Sequence, residues 1–159
     1  MDAQMTDGYR VGLILPEDTW GLRAEVLWPE KAPDSTCVLD SDEVEGAFHV
    51  GVTSQGRILS IASFFPQTHD GLEESVDHRL RAMATHPDHR GRGLGKRVVE
   101  FGIARLSEVG AEGVWADARH VALGFYARLD WEVTGPTYEV RFRGLHRLVW
   151  RRIDAVINR

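Results

Sequence analysis

The sequence predicts an α+β protein of mixed layers, with one central sheet covered by helices, and three observations carry that prediction. Strand and helix patterns follow one another in the order β, α, a β meander, then β-α-β-α-β-β. The meander is marked by Ser54-Gln55-Gly56, a turn signal between two apolar runs, so part of the sheet is antiparallel. Residues 80–101, LRAMATHPDHRGRGLGKRVVEF, read as a strand that empties through glycines into a helix. At 159 residues the chain is expected to be a single domain, 1–159, with its elements between about 9 and 152. A chain of that size buries about two thirds of its unfolded surface without disulfides or metals.

Each element has a local reason. Residues 1–8 are polar and read as a frayed start. Residues 9–15, YRVGLIL, form a first strand. Pro16, Glu17 and Asp18 open a helix, because proline presets φ and acids suit the positive end of the dipole. Trp20, Ala24 and Leu27 give that helix an apolar stripe before Pro29. Residues 30–45 are an acidic, loop-rich passage. Residues 47–53 and 58–65 are the hairpin strands, closed by Pro66, and 67–77 is a polar connection. After the strand at 80–85, a helix carries Leu94, Val98, Gly102 and Leu106 on one face and ends at Gly110. A strand at 114–116, a helix over about 120–129, a strand at 131–134 and a closing strand at 145–152 complete the series, with 138–142 adding another. Trp20, Trp28 and Trp150 are assigned to the core or its cover.

The turn within residues 80–101 has the chemistry of an anion cradle. Glycines let the main chain adopt positive φ and approach a ligand closely, and the first amides of a helix point at it unpaired. Arg90, Arg92, Lys96 and Arg97 add positive charge, so the ligand is expected to carry a di- or polyphosphate. Spacing excludes two common phosphate loops. Gly91 and Gly95 have three residues between them, and Lys96 is followed by Arg97 where a P-loop has its magnesium-binding hydroxyl. No glycine stands three after Gly93, so the dinucleotide fingerprint fails as well.

Composition narrows the rest. The single cysteine, Cys37, excludes an internal disulfide and has no partner at ligand spacing, which suits a reducing cytoplasm and no metal. Apolar runs are too short to span a bilayer, and the acidic start lacks a signal-peptide pattern, so no membrane partner is expected. The net charge of -5 hides a division: residues 1–80 hold 15 Asp+Glu against 5 Lys+Arg, a balance of -10, and residues 81–159 carry +5. A basic second half suits a phosphorylated cofactor, and an acidic first half draws a cationic amine. Nucleic acid is a poor partner for a chain that is acidic overall and has no basic face interleaved with aromatics.

The pattern Arg-x-x-Gly-x-Gly, met by Arg90, Gly93 and Gly95 directly after a strand, resembles the signature loop of the GNAT (Gcn5-related) N-acetyltransferases. A second segment, residues 119–131, RHVALGFYARLDW, resembles that family's Asn-x-x-Ala-x-x-Phe-Tyr-x-x-x-Gly-Phe, with Ala122, Phe125 and Tyr126 in register. Arg119, Asp130 and Trp131 stand where Asn, Gly and Phe are usual. The two motifs come in the right order, separated by a helix and a strand, and the element order from 9 to 152 matches.

The resemblance implies a GNAT-like fold: a central, mostly antiparallel twisted sheet with a splayed parallel pair, flanked by helices. It implies acetyl transfer from acetyl-CoA to a small-molecule or peptide primary amine, with a noncatalytic acetyl-CoA or CoA sensing module as the alternative. The implied cofactor-binding residues are Met83, Ala84 and Thr85 for the pantetheine arm, Arg90, Gly91, Arg92, Gly93, Leu94, Gly95 and Lys96 for the pyrophosphate, and Arg119 and Phe125. Tyr126 is the implied catalytic residue, a hydrogen-bond donor to the departing sulfur. The tyrosine is expected at a cleft edge, one step round from an inward stripe of Ala122, Phe125 and Leu129. For the general base Asp77, His78, Asp117, His120, Glu139 and His146 all qualify. A homodimer through the aromatic and basic C-terminal strand is left open.

Overall fold

A computed structural model describes residues 4–30 and 37–154, with residues 4–6 described by their backbone. Of the loop-rich passage expected at 30–45, residues 31–36 lie outside the described residues, as do 1–3 and 155–159. Two units emerge: one holds the chain up to Pro66 together with Leu80–Arg105, and the other holds Gln67–Arg79 and the chain from Leu106 onward.

In the first unit β1 (Gln4–Thr6), β2 (Tyr9–Ile14), β3 (Phe48–Ser54) and β4 (Arg57–Pro66) pair antiparallel in succession, followed by β5 (His78–Thr85). The short strand β1 replaces the expected frayed start. It is too short to show a pattern of its own, and the ladder with β2, Gln4 opposite Val11, supplies the order that its composition does not. Both faces of the middle strands are covered, so β4 reads as a nearly unbroken run of buried residues.

One cover is the helical stretch after β2: a 3-10 turn Pro16–Thr19, α1 (Trp20–Leu22) and a π turn Arg23–Leu27. Leu22 packs with Ile61 and Ala84, with Ile14, Val26, Leu27 and Ile58 around them. The other cover is α2 (Leu94–Glu108), whose Leu94, Val98 and Leu106 are buried as the 3.6-residue period requires. Gly102 belongs to that stripe because the ring of Phe64 lies where a side chain would be; an added Cβ would sit 2.1 Å from its Cζ. Each large apolar side chain buried here stabilises the fold by about 1.5–3 kcal/mol.

The π turn carries Arg23 inward to complete burial. Its guanidinium is held by the two carboxylate oxygens of Asp42 at 2.7 and 2.8 Å, by the Cys37 carbonyl at 2.8 Å and by Ser63 Oγ at 2.9 Å. His49 completes the network: Nε2 donates to the Asp42 carbonyl at 3.4 Å, which leaves Nδ1 to accept from the Ser63 hydroxyl at 2.7 Å. Cys37 itself is buried, outside any helix or strand.

In the second unit the start of β5 is followed by β6 (Gly113–Arg119), β8 (Gly144–Arg152) and β7 (Glu132–Val140), in that spatial order. β5 and β6 run parallel, with His78 opposite Val114 and Arg79 opposite Trp115, and the other pairs are antiparallel. The fold is thus α+β, with a mostly antiparallel sheet, one parallel pair and flanking helices, as expected. Gly110 ends α2 at φ 79°, with Ala111 N donating to Leu106 O at 2.9 Å. The strands expected at 131–134 and 138–142 are one strand, β7, whose register shifts between Thr134 and Tyr138 around Gly135 and Pro136. α3 (Leu123–Arg128) packs on β7 and β8.

Candidate functional site

In the first unit the glycine turn has the geometry of a cradle. Gly91 and Gly93 adopt φ of 78° and 74°, a region that favours glycine, and a Cβ added to either would meet nothing within 4 Å. Their space opens outward and is not filled by the protein. The first intrahelical bond of α2 runs from Arg97 N to Gly93 O at 3.2 Å, so the amides of Leu94, Gly95 and Lys96 precede any helical acceptor. Arg90, Gly91, Arg92, Gly93 and Lys96 are exposed, whereas the Leu94 side chain is buried and offers the turn its main chain alone. These features fit a ligand with paired phosphates.

Tyr9 secures this turn, a role that its place at the head of a strand does not signal. Its hydroxyl accepts from Arg92 Nη1 at 2.6 Å, its carbonyl accepts from Arg97 Nη2 at 3.2 Å, and its ring meets His89 edge-on. Arg92 is therefore already oriented. Upstream, Ala82 has φ 58° inside β5, a left-handed residue within a strand, which locally breaks its regular alternation just before Met83. Ala84 is buried, and Thr85 Oγ1 hydrogen-bonds Ser60 Oγ at 2.9 Å.

In the second unit the predicted tyrosine segment forms a turn of 3-10 helix, His120–Ala122, and then α3. Arg119 precedes the turn and is exposed; Phe125 is half-buried and meets Tyr126 edge-on at 5.2 Å. The structure corrects the expected orientation of this helix. Tyr126 is its buried residue, at 3% exposure, while Ala122, Phe125 and Leu129 are only half-buried. The ring packs against Trp131 at 4.9 Å, since the chain reverses at Asp130 and returns Trp131 N to the Tyr126 carbonyl at 3.1 Å. Asp130 makes that reversal at φ 67°, the conformation for which the family's glycine is suited. Burial pushes the Tyr126 phenol well above its usual value of 10, so it keeps its proton at any working pH.

One face of the same unit carries a polar cluster. Arg79 and Trp115 are opposite each other in the parallel ladder, and Asp117 follows two residues on. Arg79 Nη2 donates to Asp117 Oδ2 at 2.8 Å, Nη1 donates to Gln67 Oε1 at 3.1 Å, and its guanidinium lies over the Trp115 ring. The Tyr138 hydroxyl donates to Asp117 Oδ1, and its ring stacks on His146. Burial, reinforced by Asp117, raises the Tyr138 phenol far above the ordinary range. His146 is 6% exposed and lies on β8 between β6 and β7, opposite Arg119 and Tyr138. It is therefore an interior residue of the sheet and not an edge one. Tyr138 escaped notice because the register shift in β7 decides which of its residues face His146. Among the described residues no group of three or more His, Cys, Asp or Glu is arranged to hold a metal ion.

Comparison with known proteins follows the same lines. The profile of the Acetyltransferase (GNAT) family matches residues 15–131. A Bacillus subtilis (strain 168) protein described as the uncharacterized N-acetyltransferase YitI is 35% identical over 143 residues, covering 90% of this chain and 95% of its own. A putative N-acetyltransferase from Lactobacillus plantarum superposes with a TM-score of 0.71 at 15% identity, over 90% of this chain and 98% of its own. An aminoglycoside 6'-N-acetyltransferase complexed with coenzyme A superposes with a TM-score of 0.68 at 13% identity, over 93% of this chain and 99% of its own.

Proposed function

The chain belongs to the Acetyltransferase (GNAT) family and is an acyl-CoA-dependent N-acyltransferase, and from that premise we propose that it transfers the acetyl group of acetyl-CoA to a primary amine by direct attack. The observation that supports this reading is the open turn at the head of α2, where two left-handed glycines and three unpaired-type helix amides line space that no side chain fills. The family profile runs through both units, which supports reading residues 1–159 as one acetyltransferase domain.

Acetyl-CoA supplies a thioester, an acyl group already activated toward nitrogen. The main chain of residues 91–96 and the side chains of Arg90, Arg92 and Lys96 hold its pyrophosphate, with Arg92 steadied by Tyr9. Main-chain groups of Met83, Ala84 and Thr85 receive the pantetheine arm, and the motif at 119–131 adds Arg119 and Phe125 to the cofactor-binding residues. Tyr126 acts as a hydrogen-bond donor to the sulfur. Because burial raises its pKa, proton transfer to a thiolate of pKa about 8.5 is uphill, and the phenol stabilises the leaving group without giving up its proton early.

The attacking nitrogen needs a lone pair, which an alkyl ammonium of pKa about 10.4 lacks at neutral pH. Once neutral it forms the C–N bond, the C–S bond breaks, and no covalent enzyme intermediate is required. The acceptor is a small-molecule or peptide amine, drawn by the acidic first half of the chain. The single cysteine suits a cytoplasmic location. Titration of free thiol released from acetyl-CoA across amino acids, polyamines, aminoglycosides and short peptides tests the reading. Release with at least one acceptor is expected; acetyl-CoA binding with no release by any of them would favour a sensing module instead.

A further inference from the structure

The structure separates the six side chains that qualify as proton acceptor. Asp77 is engaged: Oδ1 holds His78 Nδ1 at 2.9 Å and accepts from Glu112 N at 3.2 Å. His78 spends Nδ1 on that carboxylate, and among the described residues no aromatic ring stacks on it. Asp117 is committed on both oxygens, to Arg79 and to Tyr138. His120 and Glu139 are exposed, and no hydrogen bond among the described residues fixes their side chains. His146 also spends one ring nitrogen, and its ring is fixed in addition by a neighbouring aromatic. Nδ1 lies 2.9 Å from the Gly144 carbonyl, which can only accept, so Nδ1 carries the proton and the neutral ring presents its lone pair on Nε2. Nε2 has no hydrogen-bond partner among the described residues. The ring is stacked on Tyr138 at 6.2 Å and 29°, and Tyr138 is itself tied to Asp117.

We propose that Nε2 of His146 accepts the proton of the attacking amine, with Tyr138 and Asp117 as positioning residues that hold its ring. This rests on the acetyltransferase reading given above. His146 lies across the ladder from Arg119, the residue that opens the tyrosine segment. It projects from the sheet face of Trp115 and Asp117, whereas Arg151, of opposite parity on β8, reaches the Leu129 carbonyl at the end of α3. Nε2 takes one proton from the ammonium before attack, making an imidazolium that returns it to solvent; the neutral nitrogen then forms the C–N bond, the C–S bond breaks, and the second proton on nitrogen passes through solvent to the departing thiolate. The charged and titratable groups facing the ring across its ladders are Tyr138 on β7 and Arg119 on β6, with Asp117 two residues before Arg119 and Arg79 behind Asp117.

The test compares two acceptors in wild type and in His146→Asn, which keeps an amide donor for the Gly144 carbonyl and removes the base. With a primary alkylamine, kcat/KM is expected to fall about 100-fold and the acidic limb of its pH profile to vanish. With hydroxylamine, largely neutral at pH 7, the two proteins are expected to agree within about threefold, since no base is needed. Acetyl-CoA affinity and melting temperature are to stay unchanged. Tyr138→Phe is expected to lower kcat about tenfold at constant KM while retaining the pH limb. Equal losses with both acceptors, or a retained limb in His146→Asn, would overturn the proposal even if the enzyme is active. A wild type that releases no thiol with any amine would instead remove the acetyltransferase reading and this inference with it.

Discussion

Two polar clusters in this molecule use nearly the same groups to opposite ends. Arg23, Asp42, Ser63 and His49 form one; Arg79, Asp117, Tyr138 and His146 form the other. In the first the Arg23 and Asp42 side chains are 0% and 1% exposed, and His49 spends both ring nitrogens on partners. In the second the Arg79 and Asp117 side chains are 19% and 32% exposed, and His146 spends only one. A network closed against water can hold a fold but cannot exchange a proton with a substrate. One that is half open loses stabilising power to screening and gains chemistry.

The sharpest way to break that comparison is to remove the acid from each cluster. Asp42→Ala strands a buried guanidinium and is expected to cost about 3–5 kcal/mol in denaturant unfolding. Asp117→Ala is expected to cost about 1 kcal/mol or less, because its pair is partly solvated. Similar costs would show that burial does not divide them.

Acid stability offers a finer test of the closed cluster. Burial lowers the pKa of His49 below 6.5, outweighing the attraction of Asp42. The unfolded chain then binds a proton that the native one refuses, so stability declines once pH falls below about 6.5. For Asp42 burial alone would raise the pKa, but the hydrogen bonds from Arg23 and the Leu39 amide together hold it below 3.8. Its contribution is present above that value and is lost as pH falls through the lower native pKa. Unfolding free energy against pH should therefore show two successive declines, and His49→Gln should remove the upper one. A curve flat from pH 7 to pH 4 would contradict this.

The smallest expected effect concerns the phenol that burial keeps protonated. Tyr126→Phe should lower turnover about tenfold at nearly unchanged acetyl-CoA affinity, which steady-state kinetics and titration together can read. Undiminished turnover would make Tyr126 a packing residue of Trp131 and Phe125.

Local chemistry explains why some of this was legible in the chain. The glycines at 91 and 93 announce positive φ, and the period of Leu94, Val98 and Leu106 announces a buried face, because both are set by neighbours in sequence. β1 was not legible, since three residues with no strand-forming pattern become a strand only through a ladder. The left-handed Ala82 and Asp130 were hidden for a related reason: tertiary structure imposes on them a conformation that their side chains do not favour. Tyr126 was matched by motif yet misplaced by periodicity, because a six-residue helix followed at once by a reversal does not follow an extended helical stripe. His146 could be a candidate from sequence, but its tautomer depends on a carbonyl two residues away and its ring on a strand whose register shifts.

The claim beneath all of this is that the main chain between Arg90 and Lys96 receives paired phosphates. Calorimetric titration of acetyl-CoA into wild type and Gly93→Val tests it most directly, because a β-branched residue is strained at φ 74° and its side chain would enter the open cradle. The account predicts tight binding by wild type and a loss of at least about tenfold, roughly 1.4 kcal/mol, in the variant. Equal affinities in the two proteins would contradict it.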